Sequence, residues 1–125
     1  MSNAMRSMPS EKAKLALLDI RDNNLLAQQF TQGISFEEFA NSRLHFYAVT
    51  HALEIVSEAS RRLPESFRAK HATLPWKKIM GVGNIYRHSC DNVKEAFVWS
   101  TVQEHLASLL AVAVAEIQPR VMIYG

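Results

Sequence analysis

Apolar residues recur at three- and four-residue steps over long stretches of this chain, and that periodicity limits its fold more than any other feature. Leu15, Leu18, Ile20, Leu25, Leu26 and Phe30 predict a helix that opens at an N-cap, Ser10, behind Pro9 and stops at Gly33. Ser35-Phe36-Glu37-Glu38 has the form of a capping box and predicts a short helical turn burying Phe36 and Phe39. A long helix over 43–63 would present Leu44, Tyr47, Ala48, Ala52, Ile55 and Ala59 on one face and end at Pro64. A short helix over 65–72 follows. Pro75 suits the first turn of the next helix, where no amide donor is needed, and that helix is predicted from Trp76 to about Ser89. A polar loop over 90–93 leads to the last long helix, over 94–117, with Val98, Val102, Leu106, Leu109, Val112, Ala113 and Ile117 as its stripe. Val121 to Tyr124 could form a strand, but one strand makes no sheet. The expected fold is all-α, an antiparallel bundle of four to five helices.

A length of 125 residues fits one domain. Its expected extent is 5–118, with a frayed tail over 119–125 and Met1-Ser2-Asn3-Ala4 as an expression scar ahead of Met5. Hydrophobic content of 48% and charged content of 21% suit a globular protein, and only four Gly and four Pro favour long regular elements. A net charge of +2 permits an acidic partner or RNA but falls short of a basic arm. The single cysteine, Cys90, leaves no internal disulfide and no zinc pattern. No run is read as reaching the roughly 18 apolar residues of a membrane span. The stretch Leu106 to Ile117 reads as a buried helix interrupted by Ser108 and Glu116, and the expected compartment is the cytoplasm, without membrane contact.

Chemistry concentrates in Trp76-Lys77-Lys78-Ile79-Met80-Gly81-Val82-Gly83-Asn84-Ile85-Tyr86-Arg87-His88. Each glycine inside a helix costs about 1 kcal/mol against alanine, so Gly81 and Gly83 point to close approach of another backbone, a partner or a ligand. Asn84 and His88 lie four apart and share a helix face, with Arg87 about 100° around it. Histidine can move a proton near neutral pH, and arginine can hold phosphate oxygens. The plainer alternative is a histidine capping the helix end and glycines that only let two helices pack.

The order Leu53-Glu54-Ile55-Val56-Ser57-Glu58-Ala59, Leu63-Pro64, Leu74-Pro75-Trp76-Lys77-Lys78-Ile79-Met80-Gly81, Asn84, His88, Val98-Trp99 resembles the HepT-like branch of the HEPN superfamily, from about Leu15 to Leu110. The resemblance implies a homodimeric, metal-independent ribonuclease toxin, with two active-site helices facing across a cleft and a nucleotidyltransferase (MntA-like) antitoxin as partner. His88 would be general base or acid while a ribose 2′-hydroxyl attacks the adjacent phosphate, Asn84 would orient the phosphate or His88, and Arg87 would supply positive charge. Gly81 and Gly83 would border the dimer cleft. No cofactor or metal is called for.

Two departures stand out. The family's arginine, set ahead of the histidine, would fall at Gly81, Val82 or Gly83, and its tyrosine two residues after the histidine is replaced by Cys90. The second hypothesis is therefore a non-catalytic HEPN binding module held by a nucleotidyltransferase. Arg61, Arg62, Arg68 and Lys70 cluster around the Pro64 turn, followed by Lys77 and Lys78. A solvated face is the plain reading of these charges. If RNA binds, Arg61, Arg62, Lys77 and Lys78 are expected near its phosphates. Glu58 with Arg61 or Arg62 would make an ordinary helix ion pair.

Overall fold

The structure, a computed structural model, describes residues 10–84 and 93–118, the side chains of Asn84 and Val93 excepted. Its elements are α1 (Glu11–Thr31), α2 (Phe36–Ala40), α3 (Arg43–Arg62), α4 (Glu65–Lys70), α5 (Trp76–Gly81), a 3-10 turn (Val82–Asn84) and α6 (Val93–Ile117). No strand occurs among the described residues, and the architecture is the expected all-α one. The possible strand at Val121–Tyr124 and the tail over 119–125 lie outside the described residues, as do the first three residues of the polar loop expected over 90–93 and most of the last turns of the helix expected to run to Ser89, while Val93 opens α6.

The helix ends follow local chemistry. Ser10 caps α1 by accepting from the Ala13 amide at 3.1 Å. Ser35 and Glu38 form both bonds of the capping box. Gly33, at φ +80°, turns the chain between α1 and α2 with a backbone that L side chains rarely adopt. Pro75 stands at the N-cap of α5 rather than inside its first turn. The long helix expected from Trp76 tightens to 3-10 geometry at Val82, so the glycine segment is not one regular α-helix.

α1, α3 and α6 make the body, with α1 packed against both of the others. The buried face of α1 is Ala13, Ala16, Leu17, Ile20, Asn24 and Ala27, which leaves Leu15, Leu25 and Leu26 exposed. The buried face of α3 is likewise turned from the expected one. Phe46, Val49, Leu53 and Val56 go inward while Leu44 is 77% and Tyr47 51% exposed. Small residues decide this, because Ala16, Ala27, Ala52 and Ala59 let the helix backbones come close. Phe39 is fully buried as expected, but Phe36 remains 38% exposed, its edge against Trp99.

α6 has nearly the bounds expected of it and differs in one respect. Taken over Lys94–Ile117, it is long and apolar enough to cross a membrane by length and composition. Here Val98, Val102, Leu106, Leu109 and Ala113 form a wall of the core. The apolar window thus lies within Lys94–Ile117, longer than the Leu106–Ile117 run weighed from sequence as a span, while the stripe expected at Val98 and Val102 is buried. Asn24 of α1, fully buried, donates to the Leu106 carbonyl at 2.9 Å and joins the two helices at depth.

Candidate functional site

α5 and its 3-10 turn pack onto α3. Ile79 and Val82 supply the apolar contact, each 2% exposed. The start of α5 is fixed by Trp76, whose indole Nε1 donates to the His71 carbonyl at 3.0 Å while its ring meets Phe67 edge-on. The end of α5 is fixed by polar groups. Ser57 Oγ, fully buried on α3, donates to the Met80 carbonyl at 2.6 Å. Arg61 Nη1 donates to that same carbonyl and, at 3.1 Å, to Ser57 Oγ, and its Nη2 reaches Glu58 at 3.2 Å.

The two glycines have different surroundings. A methyl group at Gly83 would lie 3.1 Å from Ser57 Oγ, 3.2 Å from Ser57 Cβ and 3.8 Å from the Glu54 Cα. The close approach inferred from sequence is thus made, at Gly83, to α3 of the same chain. Gly81 is exposed, with nothing within 4 Å of such a methyl. One turn back along α3 from Ser57, Glu54 faces His51, Nδ1 to Oε1 3.6 Å.

Lys77 and Lys78 are exposed and take no hydrogen bond or ion pair among the described residues. The cations clustered around the Pro64 turn, by contrast, are engaged within the chain. Arg62 pairs with Asp19 at 2.8 Å, joining the end of α3 to α1. Arg68 Nη1 donates to the carbonyls of Ser60 and Leu63, capping the end of α3. Lys70 and His71 both hold Glu116 near the end of α6, at 3.1 and 2.7 Å. Burial pushes the Glu116 carboxyl up, but the hydrogen bonds from His71 and Lys70 and their charges hold it, on balance, below its ordinary range.

Of the expected catalytic residues, Asn84 is described in its backbone only, as the last residue of the 3-10 turn. Arg87 and His88 lie outside the described residues, and so does Cys90. What the fold brings together is the segment that precedes them in sequence, the Met80–Gly83 backbone, with Glu54, Ser57, Glu58 and Arg61 of α3. Sequence reasoning missed Ser57. Its one available signal was a hydroxyl on the apolar face of a helix, a group that must find a partner when buried. A separate cleft of about 560 Å³, between the second half of α1 and the first half of α6, is lined by Leu25, Gln28, Gln32, Trp99 and Gln103 among others, with no titratable side chain. Among the described residues no group of three or more His, Cys, Asp or Glu could hold a metal ion.

Comparison with known proteins places this arrangement. The family described as Ribonuclease HepT-like matches residues 20–115. A candidate RNase of Methanocaldococcus jannaschii is 34% identical over 102 residues, covering 82% of this chain and 94% of the relative. A protein of Thermococcus cleftensis named as a probable ribonuclease HepT is 34% identical over 93 residues, 74% of this chain and 84% of the relative. A candidate RNase of Caldanaerobacter subterraneus is 36% identical over 78 residues, 62% and 70% of the two chains. No solved structure gives a significant match. The matched span runs from the core of α1 to the last turns of α6 and takes in the whole α3–α5 contact, and the chain belongs to the HepT-like ribonuclease family.

Proposed function

We propose that this chain is a metal-independent endoribonuclease that acts as a homodimer and is neutralised by a nucleotidyltransferase antitoxin. Family membership over residues 20–115 is the observation that carries the proposal. The chain's own residues fit it. Lys77 and Lys78 offer exposed positive charge on α5, beside the surface left bare at Gly81, where RNA phosphates would be positioned. In the proposed reaction His88 takes the proton of a ribose 2′-hydroxyl as its oxygen attacks the adjacent phosphorus. The bond from phosphorus to the 5′ oxygen then breaks, and that oxygen leaves with a proton donated by an acid, for which the second copy's histidine is suited. Asn84 orients the phosphate, and Arg87 stabilises the charge that builds on its oxygens.

A second reading rests on one specific feature: Gly81, Val82 and Gly83 occupy the positions where the family's arginine would stand. On that reading the chain binds the nucleotidyltransferase without cleaving RNA. Incubating the purified protein with a mixed RNA pool in excess EDTA, beside His88→Ala, separates the two. Cleavage that falls by about 10²- to 10⁴-fold in the variant supports the ribonuclease. Intact RNA in the presence of folded, dimeric, partner-free protein supports the binding module.

A further inference from the structure

We propose that Ser57 and Arg61 are positioning residues, a clamp on the Met80 carbonyl that sets the direction in which the backbone leaves α5 through Gly81–Asn84. For its catalytic consequence the proposal rests on the ribonuclease reading. For its structural content it rests on contacts within the described residues.

The last carbonyls of a helix have no partner within it, and a six-residue helix has little internal bonding with which to hold its own end in place. Met80 is the penultimate residue of α5, and its carbonyl receives two donors from α3, Ser57 Oγ and Arg61 Nη1. The donors are also bonded to each other, since Arg61 Nη1 gives a second hydrogen bond to Ser57 Oγ. Glu58 holds the outer edge of the guanidinium. Three donor–acceptor contacts among Ser57, Arg61 and Met80 fix a carbonyl direction as well as a distance, which apolar packing of Ile79 and Val82 alone does not do.

Gly83 adds a steric stop. Its backbone packs so close to Ser57 that a methyl would lie 3.1 Å from Oγ and would have to displace that side chain by a few tenths of an ångström, against its bond to Met80. The same serine thus fixes the chain at two points three residues apart. Asn84 follows directly, and the remaining candidate catalytic residues follow it in sequence. A displacement of about 1 Å at a reacting group can cost about a hundredfold in rate, so a loosened carbonyl at Met80 would be felt downstream. Arg61 is assigned here to the carbonyl rather than to RNA, in contrast with Lys77 and Lys78, because Nη1 and Nη2 already serve three protein acceptors.

The test compares wild type, Arg61→Gln, Arg61→Lys and Ser57→Ala as full chains, by backbone amide hydrogen exchange and by RNA cleavage. Arg61→Gln is expected to raise exchange at Val82, Gly83 and Asn84 about tenfold or more while α1 and the buried turns of α3 keep their protection. In cleavage it should lower kcat by about ten- to a hundredfold with KM within about threefold. Arg61→Lys should recover part of both, since an ammonium can donate to the carbonyl but cannot fork to Ser57 and Glu58 as well. Ser57→Ala should act in the same direction as Arg61→Gln. Unchanged exchange at 82–84 in both Arg61→Gln and Ser57→Ala overturns the clamp. So does a rise in KM with kcat intact and a shallower salt dependence, the mark of a phosphate contact. If wild type cleaves no RNA the ribonuclease reading fails by itself, and the exchange data still decide the clamp.

Discussion

α1 and α3 pack against each other in the body and bury Ala13, Ala16, Leu17, Ile20 and Ala27 of the one and Val49, Ala52, Leu53 and Val56 of the other, all within a few percent of full burial. α3 and α5 meet through two such residues, Ile79 and Val82, and then through a serine hydroxyl, a guanidinium and a carbonyl. The first contact is large and non-directional, and any well-filled arrangement of similar volume would serve. The second is small and directional. A ribonuclease site carried on the α5 side would thus inherit its geometry from hydrogen bonds and its persistence from the body beneath. Substitutions in the two regions should therefore fail differently, by unfolding in one and by misalignment in the other.

The largest expected effect breaks the body. Leu53→Ala removes a 1% exposed side chain from the α3 face of the core and should cost about 2–5 kcal/mol in urea unfolding. RNA cleavage per folded molecule should stay near the wild-type value, since Leu53 makes none of the contacts to Met80. A variant of normal stability with lost cleavage would mean that the two regions are not separable in this way.

The two glycines sharpen the comparison at smaller scale, because they are two residues apart and stand in opposite surroundings. Gly83→Ala places a methyl 3.1 Å from a hydroxyl that is itself bonded to Met80, so Ser57 must give way. A destabilisation of about 1–3 kcal/mol is expected, with faster amide exchange across the 3-10 turn. Gly81→Ala meets nothing and should be neutral or stabilise by up to about 1 kcal/mol, alanine being the better helix former. If a second copy covers Gly81, the same methyl would weaken self-association in sedimentation experiments while leaving the folding of each chain unharmed.

The elements of this fold were readable because their ends are written in local chemistry: Ser10, the Ser35–Glu38 box, Gly33 and the Pro64 turn act within a few residues of themselves. The inward faces were not. α1 and α3 carry large apolar residues on more than one side, and Leu15, Leu25, Leu44 and Tyr47 stay outside because the close helix approach is made by alanines and serines. A hydrophobicity pattern scores Leu44 above Ala52, whereas packing of two backbones scores them the other way. In the glycine segment, the spacing pointed to a close backbone approach, and Gly83 makes one to α3. The clamp joins residues 19 and 23 positions apart, and no local pattern announces a serine that will meet a carbonyl two helices on.

The smallest expected effect concerns a second polar tie, by which the end of α4 and the residue after it are joined to α6. Glu116 is 13% exposed, bonded to His71 and Lys70, and held below the ordinary carboxyl value of 4.5. A carboxyl whose folded-state pKa is depressed lets the unfolded chain bind more protons between the two values, so unfolding free energy rises with pH there. The stabilisation is fully present above about 4.5 and is lost as pH falls through the lower folded-state value. Glu116→Gln should therefore show a shallower acid limb than wild type and a constant deficit above it, read from urea midpoints between pH 3 and pH 7. Amide exchange over Val82–Asn84 should be the same in both proteins at neutral pH, because Glu116 makes no contact with the Ser57–Arg61 clamp. A Glu116→Gln variant that loosens the 3-10 turn would show instead that the two polar ties work as one unit, and that α4 and α5 move together on the helical body.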